Sequence, residues 1–205
     1  MARDRQSIVK MSRREGYALH PKAHKALAKR TTLPGKSPTG RPPRGKASQY
    51  SLQLREKQKV KRLYGLLERQ FSNLMKEASR TQGQSGTMLL QLLERRLDNV
   101  VYRSGFAPSR RAARQLVTHG HFMLNDRRVD IPSIRVKEGD KITLRDHSKA
   151  NEYFKRIDEI SPAAEANSWL KVNRKKIEVS VTGKPLREEA EPEINEQLIV
   201  EYYSR

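Results

Sequence analysis

Arginine side chains able to bind phosphate concentrate in residues 109–130, SRRAARQLVTHGHFMLNDRRVD. A guanidinium group presents a planar fork of N–H donors that matches phosphate oxygens and can also stack on bases. A helical wheel for residues 110–118 separates the apolar side chains from a polar half that contains Arg110, Arg111, Arg114 and Gln115. No acid lies between residues 107 and 125, whereas a solvated helix face usually mixes both charges. The pattern therefore predicts a cationic helix face that contacts nucleic-acid phosphates.

A short hairpin is predicted directly after this helix. Asn125 and Asp126 both tolerate positive φ, so they are suited to a tight turn between two strands. Arg127 and Arg128 flank that turn, and the hairpin tip and the helix are expected to form two walls of a groove. Further candidate contacts to phosphate or bases are Ser109, which is also the expected N-cap, and the histidines that follow the helix, His119 and His121. Charge reversal at Arg110 and Arg114 is expected to abolish binding and leave the fold intact.

Hydrophobic spacing predicts the elements around this stretch. Residues 71–78 place apolar side chains at i, i+3, i+4 and i+7, which indicates one buried helix stripe. Residues 87–105 are expected to form one long helix that buries its leucines and valines and leaves Glu94 and Asp98 on the opposite side. Strands are predicted at 141–144 and in KKIEVSVTG, a further helix near 151–161, and a final helix capped by Asn195. The middle helix carries five candidate RNA contacts, Arg55, Lys57, Lys59, Lys61 and Arg62, and the next helix adds Arg69.

Charge and composition limit the class of protein. The 205 residues contain 43 Lys and Arg against 23 Asp and Glu, a net charge of +20. Self-repulsion on that scale favours a permanent polyanionic partner, with nucleic acid as the first candidate and an anionic membrane surface as the second. Zero cysteines exclude disulfides and thiolate metal ligands. No apolar run reaches the ~20 residues of a membrane-spanning helix, and no signal-peptide pattern opens the chain, so we expect a cytoplasmic protein.

The two ends of the chain have opposite charge. Residues 1–46 contain 13 Lys or Arg and only two acids, and residues 31–46 are rich in Pro and Gly. We therefore expect an extended basic segment that orders on RNA. Its candidate contacts are Arg3, Arg13, Arg14, Arg44 and Lys46. The acidic residues 187–205 are expected to dock on the chain's own basic helices or on a neighbouring protein.

Catalytic and metal-binding patterns are weak in this sequence. His20 and His24 have the spacing of helical metal ligands, but only Glu15 lies near them, so surface histidines are the better interpretation. Glu94 and Asp98 are one helical turn apart, and we expect them to pair with arginines rather than act as a catalytic dyad. The nucleotide-binding and nucleophile-elbow glycine motifs are absent. We therefore predict no enzyme activity, no cofactor, no metal and no small-molecule substrate.

Long segments of the chain resemble one known family. LLERRLDNVVYRSGFAPSRRAARQLVTHGHFMLNDRRVDIPSIRVKEGD, together with SRREGY, YSLQLREKQKVKRLYGLLERQF and INEQLIVEYYSR, resembles the fourth protein of the bacterial small ribosomal subunit. The resemblance implies an α+β fold. It has a basic N-terminal extension (1–46), a helical domain (47–86 plus about 176–205), an inserted RNA-binding module of two helices and short antiparallel strands (87–150), and a connecting segment (151–175).

The resemblance also implies a function and partners. The family binds the five-prime domain of small-subunit ribosomal RNA at a helical junction, nucleates assembly of the subunit body and affects translational accuracy. Its partners are neighbouring small-subunit proteins, chiefly the fifth, and messenger RNA near the entry tunnel. Many members hold a metal through four N-terminal cysteines, which this chain lacks. Two other classes stay open on the residues alone: an RNA-modifying enzyme that uses the same module for targeting, and an architectural DNA-binding protein.

Overall fold

The computed structural model describes residues 6–30, 32–35, 48–161 and 167–204, and the chain divides into two compact units. Unit 1 comprises residues 1–88 and 193–205, and unit 2 comprises residues 89–192. The helices are α1 (Ile8–Glu15), α2 (Ala23–Lys29), α3 (Gln49–Leu63), α4 (Glu68–Arg80), α5 (Ser85–Glu94), α6 (Leu97–Arg103), α7 (Arg110–Thr118), α8 (Asp146–Lys149), α9 (Glu152–Lys155), α10 (Ile157–Ile160) and α11 (Glu196–Tyr203). The strands are β1 (Phe122–Leu124), β2 (Arg127–Val129), β3 (Lys141–Leu144), β4 (Leu170–Asn173) and β5 (Glu178–Val181). Together they make an α+β fold.

Unit 1 is helical, and both α1 and α11 pack on α3. Ser48 caps α3 by accepting a hydrogen bond from the Ser51 amide at 3.2 Å, and Asn195 caps α11 in the same way. Helix α11 packs along α3, where the Gln53 amide donates to the Glu201 carboxylate at 2.8 Å. The predicted stripe of α4 is confirmed, since Phe71, Leu74, Met75 and Ala78 are all buried. The acidic final segment therefore packs, from residue 193 onward, on a basic helix of the same unit.

A buried lysine links α3, α4 and α11. Lys57 is 3% exposed, and its ammonium lies 2.7 Å from a Glu68 oxygen and 4.6 Å from the centroid of the Tyr202 ring. Lys61 and the Tyr203 hydroxyl also donate to Glu68, at 2.9 and 3.0 Å. Burial raises the pKa of Glu68, but these donors outweigh burial and lower the pKa to about 2. Glu68 is thus the acceptor that joins the three helices.

Acid should destabilise unit 1 through this carboxylate. A folded-state pKa below the ordinary 4.5 means that Glu68 stabilises the fold above pH 4.5, and that this stabilisation is lost as the pH falls toward about 2. We expect Glu68→Gln to flatten the dependence of unfolding free energy on pH across that window. The measurement is urea unfolding at several pH values. Glu77→Gln, an exposed carboxylate on α4, is the control, and an unchanged slope in the Glu68 variant would contradict the assignment.

Unit 2 contains one antiparallel sheet of strand order β2-β1-β3-β5-β4. The predicted hairpin is confirmed: Leu124 pairs with Arg127, and Asn125 and Asp126 have φ of 49° and 62°, the conformation that a two-residue hairpin turn requires. Helices α6 and α7 and the short helices α9 and α10 pack with the sheet around a shared core. Trp169, Phe106 and Phe122 are the largest side chains buried there.

The predicted long helix over residues 87–105 is wrong at its middle. The structure has two helices, α5 and α6, because the backbone at residues 95–98 bonds to residues 132–136 instead of continuing the helical ladder. The Leu97 amide donates to the Ile134 carbonyl at 2.8 Å, and the Val136 amide donates to the Arg95 carbonyl at 2.9 Å. The break also turns Glu94 and Asp98 inward, to 1% and 5% exposure, which corrects their predicted position on the outer side.

The structure corrects the predicted domain limits, one predicted helix and the predicted extended N-terminal segment. β4 lies in the predicted connecting segment 151–175, and β5 lies in the predicted helical domain, yet the two strands pair with each other and β5 pairs with β3. The predicted helix near 151–161 is instead two single turns, α9 and α10, which are separated at Arg156. The described part of the N-terminal segment is helical rather than extended, since α1 and α2 pack together and α1 packs on α3. None of the described helices is long and apolar enough to cross a membrane.

Candidate nucleic-acid interface

The outer side of α7 is a stripe of exposed polar residues. Ser109 caps the helix as predicted, its hydroxyl accepting from the Ala112 amide at 3.3 Å. Ala113 and Val117 are fully buried and fix the rotation of the helix, so that Arg111 and Gln115 point outward, followed by exposed His119. Within the described ranges, Arg111 forms no ion pair. Its guanidinium is therefore available to a ligand.

The hairpin of β1 and β2 carries its arginines beside the end of α7. Asn125 fixes the turn, because its amide donates to Asp140 at 2.8 Å and its oxygen accepts from the Lys141 amide at 2.9 Å. Arg128 lies over Gly120, where a Cβ atom would stand 2.9 Å from the arginine Nε. Arg127 and Arg128 are exposed and make no ion pair with any described residue. We call Arg111, Arg127 and Arg128, with Gln115 and His119, the cationic face.

Two of the predicted contact arginines are instead internal to unit 2. Arg110 donates to Asn99 at 2.9 Å and to Glu191 at 2.8 Å, and it lies 4.6 Å from the centre of the Tyr102 ring. Arg114 donates to Asp98 at 3.3 Å. Their side chains are only 14% and 16% exposed. Both arginines are thus held by polar groups of unit 2 in this conformation, and their contact with phosphate stays a prediction.

Glu94 and Asp98 form a buried hydrogen-bond network with arginines and Asn99. Glu94 accepts two hydrogen bonds from Arg103, at 3.0 and 2.9 Å, and one from the Asn99 amide at 2.7 Å. Asp98 accepts a similar pair from Arg96, at 3.1 and 2.9 Å. These two carboxylates thus orient three arginines, Arg96, Arg103 and Arg114, and the bond from Arg114 to Asp98 joins α7 to α6. Arg96 and Arg103 were not among the predicted functional residues, since no local pattern marks their partners.

His121 packs against other residues of unit 2. Its Nδ1 lies 3.0 Å from the Ser148 hydroxyl, and its ring packs edge-on against Phe154 with centroids 5.3 Å apart. Burial lowers the pKa of His121, and the charges of His119 and Arg145 lower it further. The ring therefore has a packing role in unit 2, and its contact with phosphate or a base stays a prediction. Exposed His119 stays in the cationic face.

The predicted contacts of unit 1 divide into paired and exposed cations. Arg55 and Arg62 both pair with the fully buried Glu15, and Lys59 pairs with Glu56 at 2.9 Å. Burial raises the pKa of Glu15, and the two arginines oppose that shift. Lys57 and Lys61 are paired with Glu68, so most of the predicted basic face of α3 holds unit 1 together. Among the remaining candidates, Arg14 and Arg69 are exposed. Arg13 donates to the Thr32 carbonyl at 2.7 Å. Arg3, Arg44 and Lys46 lie outside the described residues.

No site for metal or catalysis is assembled in the described part of the chain. His20 uses its Nδ1 to accept from the Lys22 amide at 3.1 Å, and no group of three His, Asp or Glu residues in the described ranges could hold a metal ion. Glu94 and Asp98 are saturated by arginine and amide donors, which leaves no carboxylate oxygen there to abstract a proton. The described residues thus give a basic α+β chain with exposed arginines beside a helix end, a pattern typical of nucleic-acid-binding proteins.

Comparison with known proteins gives the family. Residues 3–94 match the model described as the Ribosomal protein S4/S9 N-terminal domain, and residues 95–142 match that of the S4 domain. The chain is 49% identical to the small ribosomal subunit proteins uS4 of Chlorobaculum tepidum and Roseiflexus castenholzii, and 48% identical to that of Clostridioides difficile. Each alignment covers 100% of both chains. The chain therefore belongs to the uS4 family of small ribosomal subunit proteins, which confirms the resemblance and the expectation of a structural protein rather than an enzyme.

Proposed function

We propose that this chain is a structural, RNA-binding component of the small ribosomal subunit, and that the cationic face of unit 2 is one of its contacts with ribosomal RNA. The observation that carries the proposal is the set of three arginines, Arg111, Arg127 and Arg128, that stay exposed and unpaired with any described acid while their neighbours Arg110 and Arg114 are neutralised internally. Membership of the uS4 family supplies the identity of the polyanion.

The internal salt bridges hold the helix that presents the exposed Arg111. Arg110 and Arg114 alternate along α7 with the exposed Arg111, so buried salt bridges hold the helix that presents the exposed guanidinium. Contacts to phosphate that are set before binding cost less conformational entropy than contacts made by freely rotating side chains. In this proposal, unit 2 is the RNA-binding module, and its paired arginines position the ones that bind.

The finer role rests on the family resemblance. We propose that the chain binds the junction in the five-prime domain of small-subunit ribosomal RNA, that it does so early enough to nucleate assembly of the subunit body, and that it contributes to translational accuracy. Its proposed neighbours are the fifth small-subunit protein and messenger RNA near the entry tunnel. Arg14 and Arg69 of unit 1 are the exposed described candidates for a second RNA contact.

Salt dependence and footprinting test the proposal together. If about 6–10 phosphates are engaged, affinity for small-subunit ribosomal RNA should fall by about 10³–10⁵ between roughly 50 and 200 mM salt, because each contact releases condensed counterions. Chemical footprinting should show protection confined to the five-prime domain. A flat salt dependence, or equal affinity for DNA of the same length, would contradict the assignment to ribosomal RNA.

A further inference from the structure

A small cavity in unit 1 has an unusually one-sided lining. Its volume is about 220 Å³, and its described lining includes three cations and no acid: Lys10, Arg14 and Arg62, with Gln6, Met11, Pro34 and Gly35 completing the wall. One water needs only about 10–15 Å³ of such space, whereas sites for drug-sized ligands begin near about 300 Å³. The cavity therefore suits a single compact group rather than a whole nucleotide.

The three cations come from two helices and are held at different strengths. Lys10 and Arg14 are one turn apart on α1, the spacing at which like charges repel. In the described part of the chain, neither of them is within salt-bridge distance of an acid. Arg62 of α3 is 14% exposed and is fixed by its ion pair with Glu15. Arg62 is thus a preset guanidinium on one side of the cavity. Lys10 and Arg14 form no ion pair with a described acid, although the charge of Arg14 acts to lower the pKa of Glu15.

The rim of the cavity is tied to the same helix. Arg13 donates to the Thr32 carbonyl from two nitrogens, at 3.2 and 2.7 Å, and so anchors the segment that carries Pro34 and Gly35. Arg13 is next to Arg14 on α1. Helix α1 therefore contributes Lys10 and Arg14 to the lining and also anchors the segment with Pro34 and Gly35. Glu15, the nearest carboxylate, is fully buried and already shared between Arg55 and Arg62.

We propose that this cavity binds one phosphate group. Excess positive charge, restricted volume and a fixed guanidinium together match a tetrahedral dianion or a phosphodiester better than a planar or apolar ligand. Binding would remove the repulsion between Lys10 and Arg14. The phosphate could come from free inorganic phosphate or from the backbone of bound RNA. The first source is independent of the proposed function and the second rests on it.

Titration of inorganic phosphate into the isotope-labelled full chain, at constant ionic strength, tests the site directly. We expect saturable shifts of the amide resonances of α1 and Gly35, and a loss of phosphate affinity of roughly tenfold or more in each of Lys10→Gln and Arg14→Gln, since each removes a charged donor. Arg80→Gln, which removes an exposed cation from the end of α4, is the matched control. Shifts that never saturate, or that persist unchanged in both cavity variants, would overturn the proposal.

Salt dependence of RNA binding then identifies the source. If the cavity takes an RNA phosphodiester, Arg14→Gln should lower the magnitude of the salt slope by about 0.7–0.9, and Arg80→Gln should not. If the slope is unchanged while phosphate titration still saturates in the wild type, the site takes free phosphate. Failure of the wild-type chain to bind ribosomal RNA would contradict the proposed function and leave the phosphate titration as a separate result.

Discussion

Charge reversal of two exposed arginines, Arg111→Glu with Arg128→Glu, is expected to weaken binding of small-subunit ribosomal RNA by about 10²–10⁴-fold. A hydrogen bond to a charged group contributes about 1.5–3 kcal/mol, and the double variant removes two such contacts and adds repulsion. Both side chains are exposed and lack ion pairs with described residues, so the fold should persist. Filter binding at fixed salt gives the affinity, and the far-ultraviolet circular dichroism spectrum checks the fold.

A matched control separates local contact from total charge. Lys171→Glu with Lys175→Glu changes the net charge by the same amount on the same unit, at exposed positions on β4 and its turn. We expect this control to lose much less affinity, with a loss that shrinks at higher salt. Equal losses in the two double variants would show that the cationic face has no special role and that only overall charge attracts the RNA.

The reversal expected from sequence alone, at Arg110 and Arg114, is the wrong experiment for this fold. Both side chains are hydrogen-bonded to buried acids or amides. Glutamates at these positions would face Glu191 and Asp98, so loss of binding would follow from unfolding rather than from a lost contact. Helical periodicity finds the polar half of α7, but it cannot divide that half between solvent and a second layer of the protein.

Local signals explain the parts of the fold that could be predicted. The stripe of α4, the Ser109 and Asn195 caps and the Asn125-Asp126 turn each depend on a few neighbouring residues, and all are present in the structure. The break between α5 and α6 could not be found in this way. It has no glycine or proline, and its cause is a set of backbone hydrogen bonds to residues more than thirty positions away.

Long-range partners likewise determine the site. Glu191 reaches Arg110 across 81 positions, and β5 joins the sheet beside β3 although about 35 residues separate them. The exposed cationic face was within the predicted set, but so were several cations that the structure uses internally, such as Lys57 and Arg114. Composition indicates a surplus of positive charge, and only the positions of the acids show which cations contribute to it at the surface.

Removal of the Glu94 carboxylate should strongly destabilise unit 2. Glu94 is 1% exposed and accepts hydrogen bonds from Arg103 and Asn99, so Glu94→Ala leaves a guanidinium and an amide buried with one partner fewer. Breaking a buried pair in this way costs about 3–5 kcal/mol. Trp169 is the single tryptophan and is buried in the core of unit 2, so its fluorescence during urea unfolding reports the loss.

The contrast with an exposed pair makes this expectation specific. Glu159→Ala removes a carboxylate of the same unit that pairs with Arg156, where both side chains are at least 60% exposed, and it should cost less than about 1 kcal/mol. Glu94→Gln keeps an oxygen for Asn99 but loses the charge facing Arg103, so it should fall between the two. If Glu94→Ala were no more destabilising than Glu159→Ala, the bonds from Arg103 and Asn99 to Glu94 could not be what holds α5 and α6 together. The positions of Arg110 and Arg114 would then depend on Asn99, Glu191 and Asp98 alone.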